Sequence, residues 1–328
     1  MEQKMKTYAN LGLFFQRGYY DDLTAELLPK ELQNNDVGNN NKEDENLKKK
    51  QSNYFEERNS TLKDSSKNAI LEKSNIKGTV SFELKTVYPG LITGIGMAHA
   101  TGMEGEGKLG MTFDFTSGLP YIPGSSVKGL LRSLFPILPP NKSENKISEK
   151  TKELLPKKRQ YICEVWNKTI MSKWNEQKKA HPEELPLHIF EENSKYKDLQ
   201  TLEDQEIEEL AKLIFEGKNK NGSYLPIYDR DIFFDALIGG YDKEKGILDF
   251  DYITPHKDEL KNPTPIKFLK ILPNVSFVFE FKLGHNTLSS EKVIPDITKK
   301  WLFQEILTTV GIGAKTNVGY GQLKTVKI

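Results

Sequence analysis

The sequence predicts an α+β fold in which helices and two glycine-rich loops interrupt one β-sheet. Residues 78–87 and 273–283 alternate apolar and polar side chains at the two-residue period of a half-buried strand. Residues 294–310 carry apolar side chains at helical spacing. Glycines cluster at 94–110 and again at 311–321. The chain has 328 residues, of which 37% are hydrophobic, so it is long enough to bury a substantial core.

Composition excludes several classes of protein. The single cysteine, Cys163, rules out an internal disulfide and the usual zinc site built from several cysteines. No apolar run approaches the roughly eighteen residues of a membrane helix, and the first residues lack the apolar stretch of a signal peptide. We therefore expect a soluble, cytoplasmic protein that has no membrane contact. The histidines outside the first glycine-rich loop have no partner at ligand spacing, so no metal or other cofactor is expected.

Charge is distributed unevenly along the chain, although the net charge is only +1. Residues 183–209 hold ten acidic residues and two lysines, a net charge of −8 that would repel nucleic acid. Residues 265–328 hold nine lysines and four acidic residues, a net charge of +5. The C-terminal part is thus suited to face phosphate.

The first 74 residues contain two contrasting segments. Residues 8–28 are dense in apolar and aromatic side chains, which predicts an N-terminal helical segment, 1–32, that packs onto another part of the protein. Residues 33–74 are mostly Asn, Lys, Glu, Asp and Ser, so we predict a flexible linker there. The main domain then spans residues 75–328.

A helix is predicted shortly after the first glycine-rich loop. Ser125 or Ser126 can cap its N-terminus, and the following apolar residues form one face. Lys128 and Arg132 are four residues apart on another face. The helix N-terminus and both cations are therefore predicted to bind a phosphate together.

The C-terminal glycine-rich loop contains Gly311, Gly313, Lys315, Thr316, Asn317, Gly319, Tyr320 and Gly321. Glycines interleaved with such side chains indicate a backbone that lies against a polyanion, although a tight turn with a β-bulge is the alternative. The loop is not a nucleotide-triphosphate loop. Ala314 separates Gly313 from Lys315, and a predicted helix precedes the loop where a strand would be required.

The remaining elements complete the predicted order. Residues 136–222 form a helical and partly acidic insertion, and strands follow at 231–238, 247–253 and 322–328. Without the insertion and the 247–253 strand, the order is strand, helix, strand, strand, helix, strand. This is the βαββαβ order of ferredoxin-like domains such as RNA-recognition domains.

Two motifs at this point resemble the RAMP superfamily of CRISPR-associated proteins. They are Pro120 to Arg132 (PYIPGSSVKGLLR) and the glycine-rich loop Gly311 to Gly321 (GIGAKTNVGYG), in that order. Three further stretches are similar to the sixth-subunit family of type III-B Cmr effector complexes. They are Asn10 to Phe15, Phe234 to Ala236 with Asp251 to His256, and Pro263 to Leu269. The linker and the acidic insertion have no counterpart in that resemblance.

The resemblance implies a non-catalytic subunit that caps a protein filament near the 3′ part of a CRISPR guide RNA. The implied partners are the guide RNA, the target RNA and other RAMP subunits of the complex. Glycine-loop amides and nearby cations would hold phosphates without reading bases. The candidate RNA-binding residues are His99, Lys128, Arg132, Gly311, Gly313, Lys315, Thr316, Asn317, Gly319, Tyr320 and Gly321. Among them, Lys128, Arg132 and Lys315 are expected to contact phosphate, Asn317 a ribose or phosphate, and Tyr320 to pack or stack.

Two other functions are open at this point. Some RAMP relatives process precursor guide RNA with a histidine as general acid or base, and His99 in the first glycine-rich loop is the candidate for that role. The chain could also be a protein-interaction subunit that makes no RNA contact, in which case replacing Lys128, Arg132 and Lys315 would leave guide retention unchanged.

Overall fold

The computed structural model describes residues 9–28, 41–71, 73–74, 76–94, 99, 101–108, 110–137, 148–180, 202–254 and 265–326. Its α-helices are α1 (Leu11–Gln16), α2 (Asn41–Ser65), α3 (Gly124–Leu134), α4 (Glu149–Val165), α5 (Met171–Ala180), α6 (Asp204–Glu216) and α7 (Asp296–Val310). Its strands are β1 (Val80–Thr86), β2 (Ile232–Phe233), β3 (Leu237–Gly240), β4 (Leu248–Ile253), β5 (Ile266–Ile271), β6 (Ser276–Lys282), β7 (Asn286–Thr287), β8 (Val293–Ile294) and β9 (Leu323–Thr325). The prediction of a fold that mixes helices and strands is confirmed, and the sheets are antiparallel.

The central sheet has the strand order β2-β6-β1-β9, and β3 also pairs with β6. All of these pairs are antiparallel. Val80 of β1 lies opposite Phe281 of β6, whereas Thr86 lies opposite Leu323 of β9. The end of β6 is therefore beside the start of β1, and β9 is beside the end of β1.

The strand predicted at 231–238 is divided into β2 and β3. Ala236 leaves the ladder with β6 and exchanges backbone hydrogen bonds with Ile122, at 3.0 and 2.8 Å. The alternating pattern of residues 231–238 does not reveal this break, because Ala236 is buried where it pairs with Ile122, as a core residue of one continuous strand would be. The strand predicted at 273–283 is confirmed as β6, in which Phe277, Phe279 and Phe281 are buried.

Two helices pack beside the central sheet. Helix α7 contacts β1 and β9, while α3 contacts both β2 and α7. The buried apolar side chains of α7 supply much of the core there: Trp301, Leu302, Phe303, Ile306 and Leu307. Burying a large apolar side chain contributes roughly 1.5–3 kcal/mol, so this face accounts for the position of α7.

In a second, two-stranded sheet, β4 pairs with β5. Leu248 lies opposite Ile271 at one end, and Ile253 lies opposite Ile266 at the other. The sequence predicts β4 but not β5. In β5 both Phe268 and Leu269 are buried, so the strict alternation that indicates a half-buried strand is missing.

The prediction of a flexible linker at 33–74 is wrong for residues 41–68, which are helical. Phe55 and Leu62 of α2 are completely buried, and Asn59 between them is 6% exposed. These residues are four and three positions apart, so they form one narrow buried stripe on a mostly polar helix. That stripe packs α2 against the rest of the protein. Residues 33–40 lie outside the described residues, and the division of the chain into domains stays a prediction.

The predicted insertion at 136–222 contains α4, α5 and α6. A π-helical turn, Trp166–Ile170, joins α4 to α5 and contacts α7. Residues 138–147 and 181–201 lie outside the described residues, and the latter include most of the acidic segment 183–209. Within the described ranges, every helix is too short or too polar to cross a lipid bilayer.

Candidate nucleic-acid interface

The C-terminal glycine-rich loop connects α7 to β9 and has an unusual backbone. Gly311, Gly313, Gly319 and Gly321 all have positive φ angles. A Cβ atom at Gly321 would lie 1.9 Å from the Ile312 carbonyl oxygen, and one at Gly313 would lie 2.5 Å from the Ile92 carbonyl oxygen. These two positions therefore require glycine for both φ and space.

Backbone hydrogen bonds hold the base of this loop. The Ile312 amide donates to the Gly321 carbonyl at 2.9 Å, which closes the loop on itself. The Gly321 amide donates to the Gly90 carbonyl at 2.8 Å, and the Ala314 amide donates to the Ile92 carbonyl at 3.0 Å. The loop is thus fixed against the segment that follows β1.

The tip of the loop is directed outward. Lys315 has a φ of 59°, and Thr316–Val318 form a single 3-10 turn. Asn317 and Val318 are exposed, whereas Lys315 and Thr316 are half-buried. No carboxylate of the described residues forms an ion pair with Lys315. The tip therefore offers a cation and a carboxamide on a fixed backbone.

Tyr320 anchors the loop to the second sheet. Its hydroxyl donates a hydrogen bond to Asp251 at 2.7 Å, and Asp251 also accepts one from Lys270 at 2.6 Å. Its ring meets Phe268 edge to face, at 5.8 Å between centroids. Burial, reinforced by the Asp251 carboxylate, raises the pKa of Tyr320. With 9% of its surface exposed, Tyr320 packs in the core rather than offering its ring to a base.

Helix α3 begins differently from the prediction. Pro123 occupies the N-cap position, and neither Ser125 nor Ser126 caps the helix. The Gly124 amide instead donates to the Asp235 carboxylate at 2.7 Å. That carboxylate already supplies the negative charge which a helix N-terminus favours, so the predicted phosphate position is occupied by the protein itself.

The two cations of α3 are partly engaged. Arg132 lies 3.4 Å from the carboxylate of Glu216, which also pairs with Lys218 at 3.1 Å. The Lys128 ammonium lies 5.5 Å from the ring centroid of Phe233. Burial, together with the nearby Arg132 charge, lowers the pKa of Lys128. Lys128 is thus the less neutralised of the two.

The lysines predicted to contact phosphate, Lys128 and Lys315, lie at two ends of the central sheet. Lys128 lies over Phe233, which pairs with Phe281 beside Val80 at the start of β1. The glycine-rich loop joins β9, which pairs with the end of β1 at Thr86. Those positions on β1 are about 20 Å apart along the strand. One phosphate group therefore cannot contact both Lys128 and Lys315.

His99 belongs to neither end. Its side chain is buried, and its ring stacks on Phe15 and Tyr19 at 4.2 and 4.7 Å between centroids. Burial lowers the pKa of His99. The backbones of Phe15 and Gly107 face the ring, but neither ring nitrogen makes a hydrogen bond of ordinary geometry with a described residue. Among the described residues, the surroundings of His99 are therefore mainly aromatic side chains.

The sequence analysis did not single out two lysines beside the loop. Lys85 of β1 lies directly opposite Lys324 of β9, so both side chains share one face of the sheet. Neither forms an ion pair with a described carboxylate. Like charges directly opposite each other destabilise a sheet, which an anion bound there would relieve. The alternation of β1 places Lys85 on the polar face, but only the register reveals Lys324 as its neighbour.

The loop, its flanking strands and the helix α3 define a class of protein: a mixed α/β protein with a fixed, glycine-rich cationic loop before its last strand. The sequence model of the RAMP superfamily matches residues 83–324, which is more than half of the chain. The chain therefore belongs to the RAMP superfamily, as the two motifs predict.

Solved structures similar to this chain include two that are each less than 25% identical to it. One is the cryo-EM structure of the type III-B Cmr-beta bound to cognate target RNA, with 19% identity, a TM-score of 0.42, and coverage of 97% of this chain and 86% of the other. The second is the crystal structure of Cmr6 from Pyrococcus furiosus, with 21% identity, a TM-score of 0.35, and coverage of 76% and 98%. Among curated proteins none matches.

Proposed function

We propose that the chain is a non-catalytic, RNA-binding structural subunit of a type III-B Cmr complex, where it caps the filament near the 3′ part of the guide RNA. The observation that carries the proposal is the C-terminal loop, whose locked glycine backbone leaves Asn317 exposed and Lys315 half-buried without an ion pair to a described carboxylate. A guide-binding subunit must accept any spacer sequence, and contacts to the RNA backbone meet that requirement. Membership of the RAMP superfamily and the sixth-subunit motifs support the same function.

We further propose that the central sheet is the ferredoxin-like core of this RAMP domain. Counting β2 and β3 as one broken strand, the elements β1, α3, β2/β3, β6, α7 and β9 follow the βαββαβ order. The sheet order β2-β6-β1-β9, with every neighbour antiparallel, agrees with that arrangement. The α2 helix, the insertion and the β4–β5 sheet are additions to it.

Within this proposal, the RNA backbone lies along the loop and the adjoining edge of the sheet. Lys315 supplies a cation and Asn317 a hydrogen-bonding side chain. Lys85 and Lys324 supply two further cations on the adjoining strands. Such contacts are not sequence-specific, and their strength falls steeply with salt because phosphate neutralisation releases counterions.

The experiment that tests the proposal is reconstitution of the complete complex with Lys315→Ala/Asn317→Ala and, separately, Lys85→Ala/Lys324→Ala in this subunit. Guide RNA occupancy and target RNA affinity are measured at several salt concentrations. We expect each double variant to weaken RNA retention and to reduce the salt dependence of binding by about one unit of slope per lysine removed. Lys150→Ala, on the exposed first turn of α4, is the matched control. Unchanged occupancy and affinity in both double variants would contradict RNA contact by this surface.

The proposal of a non-catalytic role has its own test. His99 is enclosed by aromatic rings, which argues against its acting on an RNA phosphate. Incubation of precursor guide RNA with the full-length chain is expected to leave the RNA intact. Specific cleavage that disappears in His99→Ala, while the variant keeps its fold, would support the endoribonuclease alternative instead.

A further inference from the structure

The segment between α6 and β2 exposes three large apolar side chains close together in sequence. Tyr224, Ile227 and Tyr228 have 65%, 70% and 82% of their surface exposed. We call them, with Lys128, Lys218, Arg230 and Lys282, the Tyr224–Tyr228 surface. Exposed apolar groups gathered in one patch mark binding surfaces more often than single exposed residues do.

The backbone beneath this surface is ordered by its own hydrogen bonds. Lys218 and Tyr224 form an isolated antiparallel bridge around a turn in which the Asn219 amide donates to the Ser223 carbonyl at 2.9 Å. Ile227–Asp229 form a 3-10 turn. The tyrosine rings are therefore held outward by a defined backbone conformation.

Cations lie over both tyrosine rings. The Lys218 ammonium is 5.1 Å and the Arg230 guanidinium is 5.3 Å from the centroid of Tyr224, and the Lys282 ammonium is 5.7 Å from that of Tyr228. Arg230 is fixed in place, because its Nε donates to the Leu225 carbonyl at 2.8 Å. Aromatic rings interleaved with cations are thus a feature of this surface.

An open groove runs from Ile227, between the two tyrosines in sequence, to the start of α3. Its lining includes Lys128, Ile227, Arg230 and Asp231. The Asp231 carboxylate is buried and pairs with the buried Lys299 ammonium at 2.6 Å, so the two charges compensate each other. Lys128 and Arg230 therefore give the groove a net positive charge.

We propose that the Tyr224–Tyr228 surface binds a single strand of RNA, whose bases stack on the two tyrosines while Lys128, Arg230 and Lys282 contact its phosphates. The inference rests on the proposed function and adds a second RNA contact at the far end of the central sheet from the glycine-rich loop. Stacking on aromatic rings accepts every base, as a subunit that carries variable guides requires. A protein partner fits less well, because lysine is depleted at protein interfaces, whereas Lys218 and Lys282 lie over the two rings.

The test measures binding of a labelled single-stranded RNA of about twelve nucleotides, the size of site that stacking grooves occupy, to the full-length chain at low salt. A blunt duplex of the same sequence is measured alongside. Tyr224→Leu/Tyr228→Leu keeps much of the apolar area but removes stacking, whereas Tyr224→Phe/Tyr228→Phe keeps both. We expect the leucine variant to bind the single strand about tenfold or more weakly, and the phenylalanine variant to bind within about threefold of the unaltered chain. Duplex binding is expected to change little in either variant.

Three outcomes would overturn the inference. They are no binding of the single strand by the unaltered chain, equal binding by the leucine variant, and a leucine variant that keeps RNA affinity but no longer assembles with partner subunits. The last would identify a protein-docking surface. Thermal unfolding of both variants excludes misfolding, and the phenylalanine variant remains informative if the leucine variant is unstable. Loss of guide in the Lys315→Ala/Asn317→Ala complex, with full binding by the leucine variant, would leave the proposed function intact and reject this inference alone.

Discussion

The two glycine-rich loops look alike in sequence but serve different purposes in the structure. Residues 101–108 of the first loop lie against α2 and β4, where Gly105 and Gly107 bring the chain close to Ser52 and Phe250. The buried Glu106 of this loop accepts hydrogen bonds from Tyr20 and Thr101 at 2.5 and 2.7 Å. The second loop, 311–321, is held at its base by backbone hydrogen bonds, and its tip leaves Asn317 exposed and Lys315 half-buried.

This difference shows that a cluster of glycines in the sequence indicates close packing of the backbone. It does not indicate whether the loop is exposed to solvent. In the first loop a Cβ atom at Gly105 or Gly107 would meet Phe55 of α2, Phe250 of β4 or the Tyr19 hydroxyl, and Glu106 between these glycines is buried. In the second loop a Cβ atom at Gly311 or Gly321 would instead meet carbonyl groups of the loop itself, and Asn317 at the tip is left exposed. The proposed RNA contact therefore uses the tip of the second loop.

The largest effect that separates the two loops is expected for Gly321→Ala. The substitution imposes a left-handed conformation on alanine and places its Cβ against the Ile312 carbonyl, so it should lower the free energy of unfolding by about 3 kcal/mol or more. Gly102→Ala is the matched control, because Gly102 also has a positive φ, but a Cβ atom there would meet no described atom within 4 Å. It should cost only about 1 kcal/mol. Chemical denaturation of both variants measures the difference, and equal losses would contradict the role assigned to Gly321.

A smaller effect is expected for Tyr19→Phe beneath the first loop. The Tyr19 hydroxyl donates to Asn59 at 2.6 Å and accepts from the Gly107 amide at 2.9 Å, and both bonds are buried. Removing it leaves two buried groups unpaired, which should lower the free energy of unfolding by about 2 kcal/mol. Tyr320→Phe in the second loop should cost only about 1 kcal/mol, because Lys270 still pairs with Asp251. The reverse ranking in denaturation experiments would refute this comparison.

The first loop is also expected to make stability depend on pH through His99. Burial lowers the pKa of His99, so the unfolded chain takes up a proton before the folded one as the pH falls below the ordinary value of about 6.5. Stability is then complete above that pH and decreases below it, by at most about 1.4 kcal/mol per pH unit from this group. His99→Phe, which suits the aromatic surroundings, should show a flatter profile between pH 7 and 5 in otherwise identical denaturation experiments. A variant that keeps the full pH dependence would exclude His99 as its source.

The smallest effect on stability is expected for Lys315→Ala at the tip of the second loop. Lys315 makes no ion pair with a described residue, so its removal should change the free energy of unfolding by no more than about 0.5 kcal/mol. A larger loss in denaturation experiments would show that Lys315 stabilises the loop and does not simply project from it. Weakened RNA retention would then need a structural explanation.

The sequence predicted those parts of the fold whose pattern is local. The alternation in β1 and β6 and the helical spacing in α7 identify elements that the structure contains. The two motifs likewise predicted the RAMP superfamily, to which the chain belongs. Helix α2 was missed because a single buried stripe on a polar helix resembles disorder in composition, and β5 because both of its faces are partly buried.

What the sequence determined by itself was the inventory: regular elements, glycines at positions with unusual φ, and cations available for phosphate. The tertiary structure decided which of these meet. It placed Asp235 on the N-terminus of α3, enclosed His99 in aromatic rings, and set Lys128 and Lys315 at opposite ends of one sheet. The physical reason is that local patterns follow from neighbours along the chain, whereas burial, ion pairing and the proximity of charges depend on strand register and packing between distant segments.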